Sequence, residues 1–299
     1  MNASTVAVDL AKSVFQLAVA DHSWRVVETH RLTRAQFARW FDDQSVELVV
    51  MEACGSAHHW ARTLMARGIA VKLLPPAYVR RNKTDSADAA ALIQASRCSD
   101  MHSVPVKSVE QQALQGWHRI RSLWMSNRTA RINTLRGLCR EFGLAVSTGS
   151  RLGVEQISRV LAEPNSPIPA LIRSSMSLLV EEIRQLQSRV AGIERELSVL
   201  AKQSAACVQL MSIPGVGLLT ATAMVAATSG KLGHFKDARH RAARLRSSFA
   251  SGFGLIPREF SSGNTRHLGG ISKRGDRYLR MLMTHGARSV LRAATLSRN

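Results

Sequence analysis

The chain has 299 residues, of which 45% are hydrophobic, and this composition excludes a disordered or fibrous protein. Its 41 Lys and Arg against 21 Asp and Glu give a formal charge of +20, which predicts a polyanionic partner. Nucleic acid is the expected one, because each phosphate contact releases condensed counterions. There is no apolar run of 18 residues and no signal-peptide pattern, so the sequence predicts a cytoplasmic protein without membrane contact.

The first part of the chain alternates between short apolar runs and helical patterns. We expect strands at Thr5–Leu10, Val14–Ala20 and Trp24–Arg31, and then a helix over Thr33–Phe41 with Thr33 as its N-cap. A strand over Glu47–Glu52, a helix over Ala57–Arg67, a strand over Ala70–Leu74 and a helix over Thr84–Ser96 follow. This order predicts an α/β domain with a mixed sheet over residues 1–105.

Strand patterns stop near residue 109, and residues 106–205 are predicted to form a helical domain. A long helix is expected over Glu110–Phe142, ended by Thr148–Gly153 and by a cluster of prolines. Beyond them an a/d heptad pattern comprises Leu179, Ile183, Leu186, Val190, Ile193, Leu197 and Leu200. Two interpretations stay open, an antiparallel helical hairpin within the chain and a coiled coil between protomers, because heptads alone do not count chains.

The last part of the chain, residues 206–299, is expected to be mainly helical and to contact the polyanion. Residues 231–299 hold 15 Lys and Arg against three acidic residues, so +12 of the charge lies there. Ile213–Gly217, before an apolar helix at Leu218–Ala227, is similar to the turn of a helix-hairpin-helix motif. Gly215 and Gly217 would let backbone N–H groups approach a phosphate, and a plain corner in the core is the alternative.

Four acidic residues are candidates for a divalent-metal site. Asp9 and Glu52 each end a predicted strand, and Asp85 and Asp88 are spaced i, i+3 in the first turn of a predicted helix. Four carboxylates suit Mg²⁺ or Mn²⁺, and such ions catalyse phosphoryl transfer. Singly, each acid is more often a turn former or a helix cap. The cations just before Asp85 that would hold a phosphate backbone are Arg80, Arg81 and Lys83.

A basic loop near the C-terminus carries two adjacent serines, Ser261 and Ser262. The cations around them are Arg258, Arg266, His267, Lys273, Arg274, Arg277 and Arg280. A serine becomes a nucleophile when its proton is removed and the developing charge is stabilised, and phosphates held by arginines would meet the second condition. Residue spacing alone favours the other interpretation, a Gly/Ser-rich loop that binds nucleic acid without chemistry.

Several motifs together resemble one known family, over nearly the whole chain and in the right order. They are VAVDLAKS, the ME pair before a small-residue run, RNKTDSADAAAL, IPGVG and GLIPREFSSGNTRHLGGISKRGDRYLRMLMTHGAR. They are similar to the DEDD transposases of insertion sequences in the one-ten family, whose members are guided by a bridge RNA. RNKTDxxDA and the PREFSSG block are specific, whereas VDLAK and IPGVG are weak alone. The segment between Phe235 and Pro257 departs from the family pattern by several additional residues.

This resemblance implies an RNase H-like N-terminal domain of the RuvC type, a coiled-coil domain and a C-terminal transposase domain. Asp9, Glu52, Asp85 and Asp88 match the metal-binding tetrad of the family, and Ser262 matches its catalytic serine. The family implies strand exchange through a phosphoserine, with acids and serine supplied by different protomers of a dimer or tetramer. Its partners would be donor and target double-stranded DNA and the guide RNA, with Mg²⁺ or Mn²⁺ as cofactor.

Three other functions stay open on the residues alone. A RuvC-like junction nuclease would use the same acids to activate water and would form no covalent intermediate. An actin-like ATPase would place glycines after the first Asp, where this chain has Leu10, Ala11 and Lys12. An architectural protein without enzymatic activity would account for the charge of +20 and leave the four acids unexplained.

Overall fold

The N-terminal unit, Met1–Val109, is built on a five-stranded mixed sheet. The computed structural model describes residues 5–76, 85–98, 103–228, 253–263 and 265–297. The strands are β1 (Thr5–Leu10), β2 (Val14–Ala20), β3 (Val26–Thr33), β4 (Leu48–Glu52) and β5 (Ala70–Leu74). Their spatial order is β3-β2-β1-β4-β5; β1 to β3 are antiparallel neighbours, and β1, β4 and β5 run parallel.

Helices cover both faces of this sheet: α1 (Arg34–Trp40), α2 (Ala57–Met65) and α3 (Asp85–Ser96). On one face the rings of Phe15, Phe37 and Trp60 pack edge to face, with Phe37 centred 5.0 Å from Phe15 and 4.9 Å from Trp60. The other face is flatter, since Ala7 and Ala18 meet Ala89 of α3 there. Small residues on this side let α3 lie close to the strands.

The predicted N-cap at Thr33 is confirmed, whereas the predicted start of β3 at Trp24 is wrong. The Thr33 hydroxyl accepts from Gln36 N, and the Gln36 side chain accepts from Thr33 N, which is a capping box. At β3 the carboxylate of Asp21 accepts hydrogen bonds from Ser23 N and Arg25 N. These bonds hold a turn in which Trp24 has φ of 64°, so the strand begins only at Val26.

The second unit, Glu110–Asn299, is mainly helical. Its elements are α4 (Val109–Glu141), α5 (Ser150–Ala162), α6 (Ala170–Gln203), α7 (Ala205–Met211), α8 (Leu218–Thr228), β6 (Pro257–Glu259), β7 (Leu268–Ile271) and α9 (Arg277–Leu296). No helix in the described ranges is long and apolar enough to cross a membrane. The division of this unit into domains 106–205 and 206–299 stays a prediction.

The heptad seam lies in α6 and is largely buried within the single chain. Near its start Ile183 packs with Ile132 of α4, and near its end Ile193 and Leu197 pack with Leu114. Early positions of one helix therefore meet late positions of the other, so α4 and α6 are antiparallel. Two ion pairs join them, Arg121 with Glu194 at 2.6 Å and Arg131 with Glu182. The intrachain hairpin accounts for the seam, and a coiled coil between protomers is not needed to bury it.

Helix α5 occupies a segment that was predicted only as a break between two helices. Its apolar residues Val154, Ile157 and Leu161 recur at helical spacing and are buried against α4 and α6. The helix ends at Ala162, just before Pro164, and the prolines lie in the loop between α5 and α6. The spacing of these three residues would have predicted the helix.

Two glycines hold α9 against the turn before α8. Gly215 has φ of 84°, and a Cβ on Gly286 would lie 2.1 Å from the Gly215 carbonyl oxygen. Because both obstructing groups are backbone, neither moves aside cheaply. The contact requires glycine at Gly286.

We expect Gly286→Ala to destabilise the C-terminal unit by roughly 1–3 kcal/mol, because overpacking forces the backbone apart. Calorimetric unfolding measures the effect as a lower Tm. The matched control is Gly192→Ala in α6, where no atom lies within 4 Å of the added Cβ. That variant should be about 0.5–1 kcal/mol more stable, because alanine favours a helix interior over glycine. Equal stability of the two variants would contradict the proposed contact.

Candidate active site

Asp9 and Glu52 lie side by side at one edge of the N-terminal sheet. Strands β1 and β4 are parallel neighbours whose register runs from Thr5 opposite Leu48 to Val8 opposite Met51. The next position on each strand is Asp9 and Glu52, so their backbones are about one strand spacing apart, roughly 5 Å. Both residues are half-buried. The predicted position of the two acids at the ends of neighbouring strands is thus confirmed for their backbones.

Both acids also occupy the same face of the sheet. On β1, Val6 and Val8 face the aromatic core, and Ala7 faces α3. Side chains alternate along a strand, so Asp9 shares the face of Ala7. On β4, Val50 faces α3, and Glu52 therefore does so as well. Two carboxylates are placed at the edge and on the face that α3 covers.

Helix α3 begins toward the same edge. At its other end the Ser96 carbonyl accepts from Lys72 Nζ at 2.6 Å, and the Arg97 guanidinium lies 5.9 Å from the Trp24 ring centroid. Trp24 lies in the turn after Ala20, and Ala20 pairs with Thr5 at the start of β1. The C-terminal end of α3 is therefore near the start of β1. The 12 residues of α3 span about 18 Å, close to the length of β1. The first turn of α3 therefore lies toward the end of β1.

This first turn carries Asp85 and Asp88. Asp88 is half-buried, and the side chain of Asp85 lies outside the described residues. Among the described side chains, no group of three or more His, Cys, Asp or Glu has the geometry of a metal site. The predicted cations Arg80, Arg81 and Lys83, and the longer segment after Phe235 up to residue 252, also lie outside the described part of the chain.

The two serines lie at the tip of the hairpin that β6 and β7 form. Ser262 and Thr265 pair across the tip through two backbone hydrogen bonds of 3.1 and 3.2 Å, and Gly263 at the turn has φ of 57°. Ser262 is exposed, and its hydroxyl forms no hydrogen bond with any described residue. The pairing with Thr265 thus leaves Ser262 exposed at the tip of the hairpin.

Ser261 has a different environment. Its hydroxyl donates to Glu259 Oε1 at 2.7 Å and accepts from His267 N at 3.2 Å. Arg266 Nε donates to the same Glu259 oxygen at 3.1 Å. The Ser261 hydroxyl, followed by the charge of Arg266, lowers the pKa of Glu259 below its usual value. Ser261 therefore holds the two strands of the hairpin together, and its proton is already donated.

Most of the predicted phosphate-binding cations around the serines are exposed. These are Arg258, Arg266, His267, Lys273, Arg274 and Arg277. Arg280 differs, because its guanidinium donates to the Phe253 carbonyl at 2.8 Å and is half-buried. It joins α9 to the loop before β6, which makes it a structural residue in this unit.

The glycines of the turn before α8 are not equivalent. The space that a Gly215 side chain would fill is occupied by Gly286 and Val290 of α9. Beside Gly217 no atom lies within 4 Å of an added Cβ, and a pocket of about 390 Å³ adjoins it. Gly215 thus serves helix packing, and Gly217 is the one of the two with open space.

A buried hydrogen-bond network connects α4, α8 and α9. Thr222 Oγ1 donates to the Leu218 carbonyl at 2.7 Å, so it accepts from His118 Nε2 at 3.0 Å. His118 Nδ1 then accepts from the Tyr278 hydroxyl at 3.1 Å. The bond from Tyr278 requires a neutral imidazole, because a protonated Nδ1 cannot accept a hydrogen bond. Burial, followed by the charge of Arg121, lowers the pKa of His118 to about 4.

No local sequence pattern indicates a role for His118, because its partners lie 104 and 160 residues away in the chain. Tyr278 adjoins Arg277 at the start of α9. The network therefore positions the first turn of the helix that follows the serine hairpin.

Two family models and several known proteins are similar to this chain. Residues 207–299 match a family model described as the transposase IS116/IS110/IS902 family, and residues 6–143 match the DEDD transposase model of IS110. A "Probable family 20 transposase" of Pseudomonas aeruginosa is 41% identical over 297 residues, covering 98% of this chain and 85% of that protein. The transposase for insertion sequence element IS1111A of Coxiella burnetii is 40% identical over 289 residues, covering 95% and 77%.

These similarities define a class, the DNA-modifying enzymes that cleave and transfer strands. The chain belongs to the IS116/IS110/IS902 family of insertion-sequence transposases. The DEDD transposase domain of this family has an RNase H-like fold and is typically metal-dependent, and the predicted mixed sheet with flanking helices agrees with that fold.

The His118 network predicts a loss of stability in acid. The folded pKa of about 4 lies below the ordinary value of 6.5, so the unfolded chain binds the proton first as the pH falls. The contribution of His118 to the free energy of unfolding is complete above about pH 6.5. It is lost as the pH falls toward 4, by up to about 3 kcal/mol.

Urea unfolding at pH 7.5 and pH 5 should therefore show a smaller pH dependence for His118→Gln than for the wild type. His59→Gln, which alters an exposed histidine, is the control and should keep the wild-type dependence. An unchanged dependence in His118→Gln would show that the imidazole is not buried as a neutral group.

Proposed function

We propose that this transposase cleaves and rejoins DNA with the hydroxyl of Ser262 as nucleophile, and that Asp9, Glu52, Asp85 and Asp88 hold a divalent cation, Mg²⁺ or Mn²⁺. The observation that carries the serine assignment is the contrast at the hairpin tip. The Ser261 hydroxyl is occupied by Glu259 and His267, whereas Ser262 is exposed and its hydroxyl has no hydrogen-bond partner among the described residues.

In the proposed step Ser262 Oγ attacks a phosphorus atom of the DNA backbone. An Oγ–P bond forms, the P–O bond to the leaving strand breaks, and the serine proton passes to the leaving oxygen through a base or water. Attack of a released strand hydroxyl on the phosphoserine reverses these changes and rejoins DNA. Exposed cations nearby, among them Arg258 and Arg274, would stabilise the charge that develops on the phosphate.

The acidic residues fit a divalent cation in chemistry and in placement. Asp9 and Glu52 end adjacent strands on the face that α3 covers, and the first turn of α3 carries Asp85 and Asp88. Hard carboxylate oxygens are the ligands that Mg²⁺ and Mn²⁺ prefer. When bound, such an ion stabilises charge on the reacting phosphate and lowers the pKa of a bound oxygen nucleophile.

The remaining contacts belong to the same proposal. Arg80, Arg81 and Lys83 would hold the strand beside the acids, and Lys273 and Arg277 would hold phosphates near the serine. Gly217 would expose backbone N–H groups at the start of α8 to a phosphate. Donor and target DNA, a homo-oligomer and a guide RNA are the partners that the resemblance implies, and sequencing the small RNA that copurifies with the chain tests the guide.

The serine is tested by comparing Ser262→Ala with Ser261→Ala on the DNA that flanks the native gene. Ser262→Ala should form no covalent protein–DNA adduct on a denaturing gel and should bind DNA with wild-type affinity. Ser261→Ala should still form the adduct and should unfold at a lower temperature, because the hairpin loses a hydrogen bond worth about 1 kcal/mol. Cleaved ends without an adduct in the wild type would favour a RuvC-like nuclease that uses water.

The acidic site is tested with the isosteric variants Asp9→Asn and Glu52→Gln. Each removes one negative ligand, so we expect strand cleavage to fall at least about a hundredfold and Mn²⁺ affinity by calorimetry to fall at least about tenfold. Asp43→Asn, which neutralises an exposed acid in the same unit, is the control and should leave both measurements unchanged. Wild-type cleavage by Asp9→Asn would refute the assignment.

A further inference from the structure

Asp9 belongs to a row of three side chains that crosses β1, β2 and β3. In the strand register Asp9 lies opposite Gln16, and Gln16 lies opposite Arg31. Residues directly opposite each other in antiparallel strands project from the same face. Gln16 and Arg31 therefore share the face of Asp9, which α3 covers farther along the sheet.

A pocket of about 270 Å³ lies on this row. Its walls include Asp9, Gln16 and Arg31 from the strands, and Lys12 and Ser13 from the turn between β1 and β2. The Lys12 carbonyl accepts from Arg34 Nη1 at 3.3 Å, which ties the backbone of this turn to the start of α1. The pocket is therefore formed by regular strands and by a turn that has its own hydrogen bond.

Two cations of this pocket are available to a ligand. Lys12 and Arg31 are both exposed, and neither forms an ion pair with a described residue. Gln16 is half-buried between them and Asp9, and it supplies amide N–H donors. A guanidinium, an ammonium, an amide and a hydroxyl are all hydrogen-bond donors, and together they suit an anion with several oxygens.

The distance between Arg31 and Asp9 indicates which anion binds in this pocket. Arg31 lies two strands away from Asp9, roughly 10 Å along the row, so its ligand need not approach the carboxylate. A single small anion held at the acids would not span that distance. A nucleic-acid strand would, because one of its phosphates can lie at the acids while a neighbour lies against Arg31 and Lys12.

We propose that Lys12, Gln16 and Arg31 form a phosphate-binding subsite that holds the DNA strand beside the phosphate reacting at the acidic site. This inference rests on the proposed function of Asp9 and its neighbours. Arg31 binds one phosphate through its planar fork, Lys12 adds a point charge, and Gln16 donates an amide N–H. These are positioning residues, since they contact a phosphate that does not react.

The test is a double-mutant cycle between the protein and the DNA. The full chain is titrated with flanking DNA in which one phosphate at a time is replaced by an uncharged methylphosphonate, and affinity is read by fluorescence anisotropy in EDTA. Arg31→Ala should weaken binding of unmodified DNA roughly tenfold. The slope of log K against log salt should become shallower by about 0.9, the value for one lost phosphate contact.

At one phosphate near the cleavage point, the methylphosphonate should weaken the wild type by the same factor and Arg31→Ala by no further amount. Arg31→Lys should recover part of the affinity, because it restores the charge without the fork. The control is Arg39→Ala, an equal loss of charge on α1, which packs against the opposite face of the sheet. It should show no such coupling at any phosphate.

The subsite is wrong if the effects of Arg31→Ala and of the methylphosphonates multiply at every position, or if Arg31→Ala impairs only RNA binding. Either result contradicts only the subsite, provided that Asp9→Asn abolishes cleavage, because that loss still supports the acidic site. If Asp9→Asn instead cleaves at the wild-type rate, the proposed function fails, whatever Arg31 does.

Discussion

The parallel pairing of β1 with β4 is the constraint on which the acidic site depends. Their register brings Asp9 and Glu52 to the same position at the sheet edge, and strand alternation places both on the face of α3. A slip of one residue in either strand would turn one acid into the aromatic core. Buried valines on both faces prevent that slip, because Val8 and Val50 each have a defined core to fill. The placement of the two acids and the hydrophobic packing are therefore one requirement in this unit.

Much of the N-terminal unit could be predicted from the sequence, because its strands are short apolar runs and its helices carry local signals such as the capping box at Thr33. The start of β3 could not, because hydrogen bonds to the Asp21 side chain form a turn that competes with strand propensity at Trp24. The strand ends predicted that Asp9 and Glu52 are neighbours, and the i, i+3 spacing predicted that Asp85 and Asp88 share one helix face. The common face of Asp9 and Glu52 follows from the register, which local patterns alone do not provide.

The C-terminal unit was less predictable, because its decisive contacts are distant in the chain. The sequence presents two adjacent serines with equal surroundings, and only the pairing of β6 with β7 gives the Ser261 hydroxyl its partners. Gly215 fits a phosphate-binding turn by its motif, yet its open side is filled by Gly286 of α9. His118 carries no local signal at all, since Thr222 and Tyr278 reach it from other helices.

In its described residues, the stretch that matches the C-terminal family model, residues 207–299, shares its core with α4 and α6. Ala226 of α8 is covered by Leu114 and Leu197, and Thr222 bonds to His118, so α4 and α6 supply part of the interior of α8. A fragment cut at residue 206 would expose this apolar surface to water and would tend to aggregate. Exchange of residues 207–299 between relatives should accordingly succeed only when the helical hairpin of α4 and α6 is exchanged with them.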